Sequence, residues 1–349
     1  MNNVSICIIS RFHRNLQMFS FLSPTIQNLL NQFEKALNDL DRSDTVAVNE
    51  IFEYQFQKPG KRLRPLLLLT LAKIIGYEPR HMQYACAIEL IHNATLAHDD
   101  VVDESSLRRG SPTINATYGN STSVLFGDYL FTKAIKILLK DSSDRLTLSL
   151  VDNFVDTINV MSEGEIKQLM ESHSTDLSEE VYYQIIYAKT TKLIELACIL
   201  APMVKYSQNH PVTVACKSYG YHLGNAFQII DDVIDYTSSS KTMGKQAGDD
   251  FSEGKITLPL IRFFSVASKD KSDFVKKLLD DNQNSSNTAR KENFEKVKEV
   301  LNEYNCFEFC REQAKKEIEA AKASLSIFED CEFKQDLLNI ADYILKRVS

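Results

Sequence analysis

Apolar residues recur at three- and four-residue intervals along most of this chain, the spacing that lines one face of an α-helix. β-Branched runs bounded by turns are few. The spacing predicts a first helix from Pro24 toward Leu40, with Ser23 as its N-cap. Helical spacing resumes over 47–56, and a basic loop from Gln57 to Pro65 leads into the next helix. The densest apolar run, Leu63 to Tyr77, is interrupted by Arg64, Pro65 and Lys73. It falls short of the roughly eighteen apolar residues of a membrane span, so it reads as a buried helix. Further helices are expected over 81–103, 121–139, 145–171, 179–200 and 211–236, with others filling 291–347. The intervals 104–112, 238–256 and Asp280 to Asn287 read as loops. Long, polar and glycine-containing, 238–256 is the kind of segment that serves as a lid. The fold class that follows is all-α.

Two of these helices end in the same acidic signature, Asp99-Asp100-Val101-Val102-Asp103 and Asp231-Asp232-Val233-Ile234-Asp235. Residues four apart share a helix face, so Asp99 with Asp103, and Asp231 with Asp235, each form a two-pronged oxygen site. Two such faces turned toward each other would concentrate negative charge that only divalent cations make tolerable. An all-oxygen donor set points to Mg²⁺, which usually shares its shell with substrate phosphates. A single cluster of this kind is more often a solvated acidic face. Here each copy is followed by basic residues in a polar loop: Arg108 and Arg109 after the first, Lys245 and Lys255 after the second. Acid for metal and base for phosphate, twice over, is the chemistry of a diphosphate site.

Composition narrows the remaining classes. A net charge of -7 and a pI near 5.6 argue against nucleic acid as the main partner. The 7 cysteines are scattered, Cys306 and Cys310 being the only close pair, with no histidine at zinc spacing. They read as reduced thiols, with Cys86 and Cys198 in the core. Residues 1–33 contain no Asp or Glu and carry Arg11, His13 and Arg14 among apolar residues. We therefore expect residues 1–22 to be a targeting or disordered extension and 23–349 to be the catalytic domain. A mitochondrial transit peptide fits the extension, and a cytoplasmic protein is the alternative.

Other cations have two readings each. Lys61 and Arg64, three apart, could place two charges on one diphosphate, although a lone basic run of this kind is usually a surface patch. His92 lies seven residues before Asp99 and so on roughly the same face, or is a satisfied core histidine. Lys189-Thr190 could donate to a phosphate, or the lysine snorkels.

The ordered set GKRLRP (60–65), HDDVVDESSLRRGSPT (98–113), GD (127–128), GE..Q (164–168), KT (189–190), FQIIDDVIDY (227–236) and GKQAGDDFSEGKITLP (244–259) resembles the trans-polyprenyl diphosphate synthases. The resemblance covers nearly the whole chain from about residue 25. Departures are Pro59 where a second glycine is common, Thr191 where alanine is common and Gln246 where proline is common. None removes a charge.

The resemblance implies a single-domain helical bundle of isoprenoid-synthase type around a central cavity. It implies a homodimer or hetero-oligomer without a membrane span, with peripheral membrane contact for product release. Asp99, Asp103 and Asp231 would hold three Mg²⁺ ions, with Asp100, Asp232 and Asp235 in support. Arg108, Lys189, Thr190, Gln228, Lys245 and Lys255 would grip an allylic diphosphate primer. Lys61, Arg64, His92 and Arg109 would hold isopentenyl diphosphate.

Product length is also addressed. In the family, residues four and five before the first aspartate line the growing-chain tunnel; here they are Thr95 and Ala94. Small Ala94 leaves the tunnel open, which predicts a product of roughly thirty to fifty carbons of the quinone side-chain type, with a residue about 6–7.5 Å from Asp99 as its wall. The alternative is that Ile91 sets the floor. A short-chain synthase and an inactive subunit of a hetero-oligomer are the rival readings. The second metal pattern of a terpene cyclase is absent, because its Ser/Thr and Glu positions are occupied by Asp235 and Ser239.

Overall fold

The computed structural model describes residues 20–57, 60–108, 110–140, 145–237, 248–283 and 286–347. They form α1 (Pro24–Asn38), α2 (Val46–Phe56), α3 (Leu63–Ile75), α4 (Arg80–Val102), α5 (Ile114–Tyr118), α6 (Asn120–Leu139), α7 (Arg145–Glu171) and α8 (Glu179–Ile186). A π turn over Tyr187–Thr191 leads into α9 (Lys192–Met203). Then follow α10 (Pro211–Thr237), α11 (Asp249–Ser252), α12 (Leu258–Val266), α13 (Lys269–Gln283), α14 (Asn287–Glu303), α15 (Cys306–Ser324) and α16 (Glu332–Lys346). One antiparallel hairpin, β1 (Leu107–Arg108) with β2 (Ser111–Pro112), pairs Leu107 with Pro112. The all-α expectation holds.

The chain divides into two compact units. The first comprises residues 1–156, 195–217 and 324–340. In it α4 packs along α6 and α3, and α1 lies on α3 and α4. The apolar run after Arg64 is a buried helix as expected: Leu66, Leu67, Leu68 and Leu69 are fully enclosed. Ser23 caps α1, its hydroxyl accepting from the Ile26 amide and donating to Asp336 Oδ2 at 2.6 Å. Arg62 begins α3 in a left-handed conformation, φ 48°. It turns inward, donating from Nη1 to Glu89 at 2.6 Å and from Nε to Glu34 at 2.8 Å. One guanidinium thereby ties α1, α3 and α4 together.

The second unit comprises residues 157–194, 218–323 and 341–349. The helix expected over 179–200 is interrupted there by the π turn, a feature that apolar spacing does not reveal. Thr191 in this turn donates to Asn225 Oδ1 at 2.9 Å. Gly224 on α10 sits directly against it, and a Cβ there would lie 2.8 Å from Thr191 Cα. Close approach is the reason for glycine at this position.

Two loop expectations need correction. Residues 280–283 belong to α13, and Asn282 is buried, donating to the Phe251 carbonyl. Asp280 and Asp281 are exposed, so this polar stretch continues a helix and does not break it. Within 238–256, residues 249–252 form α11. Residues 238–247 lie outside the described residues, as do residues 1–19, Pro59 and Arg109. Cys86, Cys198, Cys216, Cys306 and Cys310 are buried thiols, and burial pushes Cys86 up to about 12. Among the described residues no helix is long and apolar enough to cross a membrane.

Candidate active site

The first aspartate cluster caps α4. The helix ends at Val102, and the Asp103 amide donates to the Asp99 carbonyl at 2.8 Å, so the four-residue spacing keeps its helical geometry. Asp99 and Asp103 are half-buried, whereas Asp100 is buried and accepts from Arg108 Nε at 2.7 Å. The hairpin β1–β2 is what carries Arg108 back to the end of its own helix. Arg108, expected to grip a diphosphate, is thus paired with Asp100. Asn115 Nδ2 donates to the Asp100 carbonyl and satisfies one end of α4.

The glycine of the Gly127-Asp128 motif makes room for the His98 ring, which a Cβ there would strike. Lys61 and Arg64 flank the inward Arg62 and are half-buried, as is His92. Of the tunnel candidates, Ala94 and Ile91 are fully buried in the packing around α4, and Thr95 is half-buried. In this structure Thr95, not Ala94, borders open space.

In the second unit one cavity of about 110 Å³ is lined by Lys189, Thr190, Gln228 and Lys255 together with Asp232 and Asp250. Four residues assigned from the sequence to the allylic diphosphate therefore share one cavity. Lys245 falls outside the described residues. Lys189 reaches the cavity from the π turn, paired with Glu165 at 2.6 Å and bonded to Gln168. Thr190 donates to Gln228 Oε1 at 2.7 Å, and Gln228 Nε2 donates to Asp232 Oδ1 at 2.8 Å. Lys255 pairs with Glu253 at 2.5 Å. π Turns recur at functional sites because they re-aim side chains that a regular helix would bury.

The three aspartates of the second cluster are not equivalent. Asp231 is half-buried, with Asp232 and Asp235 buried. Asp232 also accepts from the Tyr182 hydroxyl at 2.6 Å. Burial, then Asp250, raise its carboxyl well above the ordinary range, while Tyr182 and Gln228 pull the other way. Burial, then Asp250 and Asp249, push Asp235 up to about 9. Its Oδ2 is buried and makes no hydrogen bond. A crowd of carboxylates with an orphaned oxygen fits a divalent cation in both donor type and charge. Among the described residues no three carboxylate, imidazole or thiol groups converge into a ready cluster.

Tyr182, Asp249, Asp250, Glu165 and Arg347 were not among the sequence candidates. Replacing Tyr182 by phenylalanine removes one bond to a buried carboxylate and keeps the ring. We expect a loss of about 1–3 kcal/mol in stability, read from urea unfolding. A loss below about 0.5 kcal/mol would mean that Asp232 is held by Gln228 alone.

Lysines and hydroxyls set beside oxygen-rich, metal-fitting carboxylates in an all-α framework define a helical enzyme that handles diphosphates. A family model described as polyprenyl synthetase matches residues 45–297. Octaprenyl diphosphate synthase of Escherichia coli is 35% identical over 310 residues, 87% of this chain and 91% of that protein. The geranyl-diphosphate-specific all-trans-nonaprenyl-diphosphate synthase of Rhodobacter capsulatus is 36% identical over 335 residues, 94% and 97%. A polyprenyl synthase from Caulobacter crescentus, solved with calcium and isoprenyl diphosphate, superposes with a TM-score of 0.83 at 31% identity, covering 98% of both chains. The chain belongs to the polyprenyl synthetase family and is a prenyltransferase.

Proposed function

We infer that this enzyme condenses isopentenyl diphosphate with an allylic diphosphate in successive trans additions. The product would be a polyprenyl diphosphate of roughly thirty to fifty carbons, the tunnel wall lying about 6 Å along α4 from Asp99. The convergence of Lys189, Thr190, Gln228 and Lys255 in one cavity carries the reading. Similarity to octaprenyl and nonaprenyl synthases over most of the chain supports the long product. A quinone side chain is the use that fits such a length.

Asp99, Asp103 and Asp231 are the half-buried aspartates, and we assign them to three Mg²⁺ ions. Bound there, the ions would neutralise the charge that develops on the leaving diphosphate. Lys189 Nζ and the Thr190 hydroxyl, with Gln228, Arg108, Lys245 and Lys255, grip that diphosphate as the C–O bond breaks. Lys61, Arg64, His92 and Arg109 hold isopentenyl diphosphate so that its double bond meets the allylic carbocation. The proton lost afterwards goes to the released diphosphate. Asp100, Asp232 and Asp235 are buried, and we assign them a supporting role.

The test is incubation of the purified chain with isopentenyl and farnesyl diphosphates, with and without Mg²⁺, and sizing of the dephosphorylated products by reversed-phase chromatography. A Mg²⁺-dependent ladder ending at roughly thirty carbons or more is expected if no bulky side chain closes the path one helical turn before Asp99. A stop at twenty or fewer would return a short-chain synthase, and no product a subunit that needs its partner. Thr95→Phe should shorten the ladder to about twenty carbons or fewer, because a ring one helical turn from Asp99 closes the path. Ala94→Phe should instead cost about 1–3 kcal/mol by overpacking. An unchanged ladder in Thr95→Phe would remove Thr95 from the wall.

We assign the assembly to a homodimer. Leu125 is 68% and Leu148 69% exposed, and we assign both to the contact between copies. Sedimentation velocity separates this from a monomer. The acid-free amino-terminal segment supports a mitochondrial address.

A further inference from the structure

Arg347 follows the last residue of α16 and has no role in the chemistry above. Its Nη2 donates to Asp231 Oδ1 at 2.5 Å, and its guanidinium lies 4.6 Å from the centroid of the Phe227 ring. Phe227 and Asp231 are four apart on α10, so a single helix face offers ring and carboxylate together. The arginine side chain is only 13% exposed and that of Asp231 34%. Arg347 Nη1 is buried and makes no hydrogen bond.

These observations describe a cation placed on a carboxylate that the reaction needs for another cation. The ring face and the carboxylate attract the guanidinium. Its unsatisfied Nη1 works against the contact, since release would return that donor to water. The pairing is therefore strong enough to form and weak enough to exchange. Lys189 with Glu165 and Lys255 with Glu253 are pairs that an incoming diphosphate would compete for; the Arg347 pair is one that an incoming metal ion must break.

We propose that Arg347 is the counter-ion of Asp231 in the substrate-free enzyme, and that its displacement sets how much divalent metal the site needs before it fills. The proposal rests on Asp231 as a metal ligand. Arg347 then keeps Asp231 paired until a metal ion displaces it.

Titration of the full-length chain with Mn²⁺ alone, followed by electron paramagnetic resonance of the free ion, tests this. Arg347→Gln should tighten the Asp231-dependent Mn²⁺ site about fivefold, as expected for removing an ion pair of ordinary strength. Arg347→Lys should fall between the two, keeping the charge while losing the planar fork and its stacking. Asp231→Asn should abolish that binding class in every background. If Asp231→Asn abolishes it but Arg347→Gln leaves it unchanged or weaker, the displacement idea is overturned while the metal ligand stands. If Asp231→Asn changes nothing, the assignment of Asp231 itself fails and the proposal with it. Should Arg347→Gln melt at a markedly lower temperature, Arg347→Lys carries the comparison.

Discussion

Asp99→Asn should lower kcat/KM for condensation on the order of 10³-fold, with circular dichroism and melting temperature close to wild type. The substitution removes one charge and keeps the shape. Asp99 is half-buried at the end of α4, where its backbone carbonyl, not its carboxylate, accepts from Asp103. The helix therefore keeps its cap interactions, and the loss falls on chemistry. The charge that the leaving diphosphate develops in the transition state is what a metal ligand helps to neutralise, so kcat should fall with kcat/KM. Raising Mg²⁺ should recover part of the rate, since weaker metal binding is overcome by mass action. A rate within tenfold of wild type at limiting Mg²⁺ would take Asp99 out of the metal site.

The second large effect concerns stability. Arg62→Met should destabilise the first unit by about 3–5 kcal/mol, measured by urea or thermal unfolding. Glu89 is 4% and Glu34 22% exposed, and both lean on the same guanidinium. Burial disfavours the arginine's charge, yet Glu89 and Glu34 outweigh it and raise its pKa far above the ordinary value. Removing the arginine leaves a buried carboxylate uncompensated, and that desolvation is the source of the cost. Adding Glu89→Gln to Arg62→Met should return part of the stability. A double variant no more stable than the single one would show that packing, not charge, is what Arg62 provides. Activity per folded molecule should change little, because Arg62 faces away from any assigned substrate.

Arg62 also shows where reading the chain reached its limit. Lys61, Arg62 and Arg64 form one basic run, in which the sequence reading assigns Lys61 and Arg64 to a diphosphate and gives Arg62 no role. The fold separates them. A left-handed residue at the start of α3 sends Arg62 into the interior, with Lys61 and Arg64 left half-buried on either side. Similarly, the two aspartate clusters look identical along the chain, but Asp103 is half-buried and Asp235, its counterpart, is enclosed beside Asp249 and Asp250. Lys189 read equally well as a snorkelling lysine until the π turn placed it beside Gln228 and Lys255 in one cavity.

The helices, the two acidic helix ends, the family and the cavity's Lys189, Thr190, Gln228, Asp232 and Lys255 were determined by the sequence alone, because three-to-four spacing and motif order are local properties of the chain. Residues 249–252 and 280–283 are helical where loops were expected, since polar composition does not fix the path of the chain. Tertiary structure alone decided which charges neutralise each other: Arg62 with Glu34 and Glu89, Lys189 with Glu165, Arg347 with Asp231. Asp231 and Arg347 lie 116 positions apart. An ion pair depends on distances of a few ångströms, and no spacing rule along a helix carries that far.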